Sequence, residues 1–169
     1  MERRKFSAST RVPCVHACSS WAFERKVEQQ VGFKKSKRKM SETKPAIAIV
    51  DDDESVCRAM NRLIRSLGMD SDMFTSGDEF IKHLETVRSF HPDCVVLDVQ
   101  MPGMNGLEVQ ELLVRSENPL PVIFITAHDE VSVRERALQA GAVAFLRKPF
   151  NEELFIKTLN EAIQRGAGG

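Results

Sequence analysis

Three consecutive carboxylates, Asp51-Asp52-Asp53, follow the short apolar run Ala46–Val50, and a fourth, Asp98, ends the run Cys94–Leu97. Thr126 closes a third such run, Val122–Ile125, and Lys148 follows a fourth, Ala144–Arg147, directly before Pro149. If these runs are neighbouring strands, their ends bring carboxylates, a hydroxyl and an ammonium to one edge. Carboxylates gathered there repel one another and resist losing water unless a cation joins them. An all-oxygen donor set suits Mg²⁺, with waters completing its octahedron. The hydroxyl and ammonium are the donors needed to hold phosphoryl oxygens, and a carboxylate can attack phosphorus to give an aspartyl phosphate. Each group alone has an ordinary use: an aspartate as helix cap, a lysine as solvated turn residue, a threonine at a helix start. Likewise Pro102-Gly103-Met104-Asn105-Gly106 alone is turn chemistry. Only convergence at one edge separates the chemical reading from these.

The surrounding pattern supplies that convergence. After Asp51–Asp53, Val56, Met60, Leu63, Ile64 and Leu67 recur at helical spacing, with Gly68 as the stop. Asp70–Phe74 reads as a weaker strand, and Phe80, Ile81 and Leu84 mark a helix within Gly77–Val87. Beyond Asp98 a loop, Val99–Asn105, leads into a helix carrying Leu107, Leu112 and Leu113. A helix over Glu130–Ala140 closes at Gly141. The last helix starts at Asn151, a good N-cap followed by Glu152 and Glu153, with Leu154, Phe155, Thr158, Leu159, Ala162 and Ile163 as its expected buried stripe. Phe74, Phe80, Phe155 and the leucines are expected in the core. Five strand–helix units in strict alternation predict an α/β fold with a parallel sheet covered on both faces. Right-handed crossovers favour a flavodoxin-like, doubly wound five-stranded sheet of order 2-1-3-4-5 with five helices. In such sheets ligands bind outside the carboxyl ends of the strands, where these residues fall.

The 169 residues carry 24 basic and 24 acidic side chains, but the balance is split by position. Residues 1–40 hold eleven basic and three acidic residues, a net of +8, and the remainder is −8. The first stretch lacks sustained periodicity and ends in Lys34-Lys35-Ser36-Lys37-Arg38-Lys39, so residues 1–40 are expected to be a disordered basic extension. A short helix around Ser20–Gln30 has weak support. Met40-Ser41-Glu42-Thr43-Lys44-Pro45 reads as an ordinary domain start, so Met40 as true initiator is one explanation of the extension. A basic arm for nucleic acid or an acidic membrane surface is the other. A folded domain over 41–165 and a flexible tail over 166–169 complete the expected organisation.

No apolar run approaches the roughly 18 residues of a membrane span, and the N-terminal charges are not followed by the apolar core of a secretory signal. Cys14, Cys18, Cys57 and Cys94 make a poor disulfide framework, and Cys14-x-x-x-Cys18 with His16 lacks a second ligand pair for zinc. A reduced, cytoplasmic chain is expected.

With these residues in view, the sequence resembles the receiver domain of two-component response regulators over about residues 45–165. The matching motifs are Ile49-Val50-Asp51-Asp52-Asp53, Val96-Leu97-Asp98-Val99-Gln100-Met101-Pro102-Gly103-Met104-Asn105-Gly106, Ile125-Thr126-Ala127 and Lys148-Pro149-Phe150. The resemblance implies that Asp98 is the phosphoacceptor, aided by Thr126 and Lys148. It implies a Mg²⁺ site made by Asp51, Asp52, Asp98 and the backbone carbonyl of Gln100, with Asp52 a direct ligand and Asp51 acting largely through water. Thr126 and Phe145 would be the switch pair, and Phe145 lacks the hydroxyl that a tyrosine would offer. His128, two residues past Thr126, and Gln100 would help set the phosphate lifetime. Asp53 lies one position past the acidic pair and is read as a cap or surface residue.

The implied partners are a sensor histidine kinase or histidine phosphotransfer protein and a downstream protein target. A homodimer through the fourth helix, fifth strand and fifth helix is a further implied contact. The resemblance is to a subgroup that often carries a helix-turn-helix output domain. No DNA-binding domain is expected here, and a stand-alone phosphoacceptor rather than an enzyme is the expectation. A phosphate sink and a non-phosphorylated interaction module are the alternatives. A dinucleotide-binding domain or Walker P-loop would need glycines where Asp51-Asp52-Asp53-Glu54 stands, and that turn would repel phosphate without a metal. A haloacid-dehalogenase-type hydrolase would need a second acid two residues after its nucleophile, where Gln100 stands.

Overall fold

The computed structural model describes residues 44–116, 119–127 and 130–167. Five strands, β1 (Ala46–Val50), β2 (Asp70–Phe74), β3 (Cys94–Leu97), β4 (Val122–Thr126) and β5 (Ala144–Arg147), alternate with five helices. These are α1 (Glu54–Ser66), α2 (Gly77–Thr86), α3 (Gly106–Arg115), α4 (Val131–Gln139) and α5 (Glu152–Ala167). All strand pairs are parallel and the sheet order is β2-β1-β3-β4-β5, as the alternating pattern predicts.

Alternation along each strand divides the core in two. Ile47 and Ile49 of β1, Val96 of β3, and Ile123 and Ile125 of β4 pack with Cys57, Met60 and Ile64 of α1 and with Phe155, Leu159 and Ala162 of α5. Ala48, Val50, Val95, Leu97, Val122 and Phe124 turn the other way, against Phe80 and Leu84 of α2, Val109 and Leu113 of α3, and Ala137 of α4. This is the period of two expected of strands buried on both faces. The edge strand β2 differs: Asp70, Asp72 and Met73 are exposed, and its charges discourage pairing with another chain.

Helix starts follow their cap residues. The Asp53 carboxylate accepts from the Ser55 amide at 2.8 Å, so the third aspartate of the run is the α1 N-cap. Ser76 caps α2, and Asn105 with Glu108 forms a capping box on α3. Asn151 Oδ1 accepts from the Glu153 and Leu154 amides, fixing the start of α5. Gly141, at φ +94°, ends the α4 segment in a conformation other residues avoid.

Two expectations need correction. Not all the leucines are core: Leu112 is 40% exposed, Leu138 42% and Leu154 49%, because apolar spacing alone does not say how wide a stripe the sheet covers. On α3 the buried positions are instead Gly106, Val109, Gln110 and Leu113. The tail expected from 166 is in part helical, since α5 runs to Ala167 with Gly166 close against the Asp93 carbonyl and Pro121. The expected helix at 20–30, the basic run, the Cys14–Cys18 pair and His128 lie outside the described residues.

Candidate functional site

Strand register assembles the site. Val50 is paired with Leu97, Leu97 with Phe124, and Phe124 with Phe145, so one row crosses β1, β3, β4 and β5. Asp51 and Asp98 stand one residue beyond that row, Thr126 two and Lys148 three. All four therefore reach the carboxyl edge together. The backbone stays paired here: the Asp98 amide donates to the Val50 carbonyl at 2.9 Å and the Lys148 amide to the Thr126 carbonyl at 2.8 Å.

At that edge, carboxylate oxygens of Asp51, Asp52 and Asp98 lie within 4.8 Å of one another. Asp51 and Asp98 are buried and Asp52 is exposed, so the cluster has one wet side. The Lys148 ammonium donates to Asp51 Oδ2 in a tight ion pair and reaches Asp98 Oδ1 at 3.4 Å. Both aspartates also hold backbone amides: Asp51 Oδ1 accepts from Asp53 at 3.0 Å and Asp98 Oδ2 from Gln100 at 3.2 Å. These contacts orient the two carboxylates before any ligand arrives.

The electrostatics follow from crowding. Burial raises the Asp98 carboxyl above its ordinary range; the Lys148 charge works against this, while the Asp51 charge adds to it. Burial alone would lower the Lys148 ammonium. The hydrogen bond to Asp51 and the charges of Asp98 and Asp51 together outweigh it, and Lys148 titrates above its ordinary value. Nearby, the Cys57 thiol donates to the Asp51 carbonyl at 3.3 Å, and burial pushes it up to about 11. Cys57 and Cys94 are buried free thiols, and neither is a thiolate at neutral pH.

The structure thus brings together Asp51, Asp52, Asp98 and Lys148, with Thr126 fully buried at the end of β4. Gln100 is exposed on the loop after Asp98, and its amide is the group in contact with that carboxylate. Phe145 is buried on β5, its ring 5.9 Å from that of Phe124 and 6.0 Å from the Arg134 guanidinium. Sequence reasoning placed Gly106 in the central motif and read it as turn chemistry, without foreseeing its contact. A Cβ there would sit 2.1 Å from the Asp98 carbonyl oxygen and 3.1 Å from the Phe124 ring. The visible signal was a glycine directly after a capping asparagine, at the first position of a helix.

An all-carboxylate cluster with an exposed member fits a hard divalent cation such as Mg²⁺ better than a softer transition metal. Acidic pockets of this kind typically bind Mg²⁺ in receiver domains.

Comparison with known proteins gives the same family. The response regulator receiver domain family matches residues 47–160. The chain is 38% identical over 127 residues to the response regulator protein TodT of Pseudomonas putida, covering 75% of this chain and 55% of that protein. It is 37% identical over 126 residues to nodulation protein W of Bradyrhizobium diazoefficiens, covering 73% and 53%. The chain therefore spans a little over half the length of these relatives. Among solved structures, a response regulator receiver protein from Burkholderia phymatum shares 57% identity with a TM-score of 0.65, over 72% of this chain and 96% of that one. The response regulator StyR shares 39% identity with a TM-score of 0.65, over 74% and 62%. No helix among the described residues is long and apolar enough to cross a membrane. Sequence motifs, strand order and relatives agree: this chain belongs to the response regulator receiver domain family.

Proposed function

We propose that Asp98 receives a phosphoryl group from the phosphohistidine of a sensor kinase or phosphotransfer protein. In that transfer an Asp98 oxygen bonds to phosphorus as the N–P bond breaks, and the imidazole leaves with its electron pair. The observation that carries the reading is the convergence of Asp51, Asp52 and Asp98 within 4.8 Å, with Lys148 bridging two of them.

Asp51, Asp52, Asp98 and the Gln100 carbonyl are the groups that would hold Mg²⁺, which when bound neutralises charge gathering on the transferred phosphoryl. Lys148 already faces Asp98 and supplies a fixed positive charge beside it. The Gln100 amide holds Asp98 Oδ2 while Oδ1 faces the Lys148 ammonium. Thr126, at the end of the neighbouring strand, is the hydroxyl that would close on a phosphoryl oxygen. Its movement would be felt by Phe145, which lies on the paired strand.

The output surface in this reading is the face of α4, β5 and α5. Val131, 70% exposed, and the exposed Leu138 and Leu154 give it apolar area that a downstream protein or a second copy could cover. Two states of this face signal only if a partner binds them with different affinity.

Beryllofluoride, a phosphoryl mimic, tests the reading. It should bind the wild-type chain only with Mg²⁺ and should not bind Asp98→Ala. Equal binding to both chains would remove Asp98 from the role.

A further inference from the structure

Gln110 is a fully buried polar side chain in the middle of α3, at 1% exposure, where Val109 and Leu113 are its apolar companions. A leucine would fill such a position without the cost of burying an amide. The amide has a defined use: Gln110 Nε2 donates to the Ala137 carbonyl of α4 at 2.9 Å. That carbonyl also accepts from the Ala142 amide at 3.0 Å, so one oxygen joins α3, the end of α4 and the turn into β5.

This bond matters because α4 has few anchors of its own, the half-buried Val133 against the core being one. Ala137 is its one buried residue among those described, and Glu130 at its N-cap makes no side-chain cap hydrogen bond. At its own end, α3 is fixed against the site, since Gly106, one turn before Gln110 on the same face, abuts the Asp98 carbonyl. Toward β5, Arg134 of α4 stands over Phe145. The polar tie at Ala137 and the ring contact at Arg134 lie one turn apart and locate the helix.

We propose that Gln110 is a positioning residue: its amide pins the C-terminal half of α4 to α3, so that rearrangement starting at Thr126 is confined to the first turn of α4 and pivots about Ala137. The pinning is a property of the resting protein, whereas the pivot rests on the phosphoacceptor reading given above.

Amide hydrogen exchange on the full chain separates the two. Gln110→Met keeps the volume and removes the donor, and Gln110→Leu does the same with a different shape should the first fail to fold. In the resting variant, exchange across residues 134–142 should rise about five- to tenfold, the size expected for one lost buried hydrogen bond, while α1 and α5 keep wild-type protection. With beryllofluoride and Mg²⁺, wild type should change exchange up to residue 134, and the variant should carry the change through to residue 142. Unchanged α4 exchange in the folded resting variant overturns the pinning role, and so does an equal rise in α1, α4 and α5. A wild-type chain that does not respond to beryllofluoride overturns the pivot and the phosphoacceptor reading, and leaves the resting-state result standing.

Discussion

Gly106 and Asp98 are in backbone contact: the first residue of α3 lies so close to the Asp98 carbonyl that a Cβ would come within 2.1 Å of its oxygen. The site carboxylate and the helix that leads away from it therefore cannot move independently. Gly106→Ala must push one of them aside. We expect a loss of about 1–3 kcal/mol in denaturant unfolding, the usual cost of overpacking, together with weaker beryllofluoride binding. Wild-type stability in the alanine variant would show that the contact is slack.

Asp98 is held in a setting that favours its protonated form. A carboxyl whose folded pKa lies above its unfolded value subtracts stability when ionised, most fully above the folded pKa, and the penalty vanishes below the unfolded one. In Mg²⁺-free buffer, Asp98→Asn should therefore unfold at a higher temperature than wild type at pH 7. The gap should close as pH falls through the carboxylate range. A gap of constant size would place the cause elsewhere than in this ionisation.

Asp52 and Lys148 should separate metal from switch. Asp52 is the exposed member of the cluster, and Asp52→Ala should weaken Mg²⁺ binding on the order of tenfold or more and slow phosphoryl labelling. Lys148→Ala should still take some phosphoryl but fail to change the environment of Phe145, read by ¹⁹F or ¹³C labelling of that ring. Unaltered Mg²⁺ affinity in Asp52→Ala would remove it from the ligand set.

Near the start of the described residues, backbone groups are already tied to the sheet. The Ala46 amide donates to Asp93 Oδ2 at 2.9 Å, and the Pro45 carbonyl accepts from the Asp70 amide at 2.8 Å. A chain beginning at Met40 should keep its thermal midpoint within about 2 °C and its labelling rate. A larger loss in the short chain would make residues 1–39 part of the fold.

Much of this molecule was legible as sequence because its units are regular. Strands such as Cys94–Leu97 and Ala144–Arg147 are short apolar runs closed by a polar residue, and Asn151 announces α5. Since ligands gather at strand ends in such sheets, the candidate site could be named before its geometry was seen. Contacts between elements were not legible. Gly106 looked like turn chemistry because its neighbour across the fold, the Asp98 carbonyl, is backbone and leaves no mark in the spelling. Gln110 was passed over because a glutamine in a helix is usually surface, and only the Ala137 carbonyl explains its burial. Leu154 erred in the opposite sense: it has stripe spacing, yet it is 49% exposed.

The account stands on Asp98 as the residue that is modified. The most direct measurement is peptide mapping after incubation with a small-molecule phosphodonor and Mg²⁺, with borohydride reduction to mark the acyl phosphate. The account predicts a single marked residue, Asp98, with the mark absent from Asp98→Ala and absent when hydroxylamine treatment precedes the reduction. A mark on Asp51, Asp52 or a histidine, or undiminished labelling of the alanine variant, would contradict it.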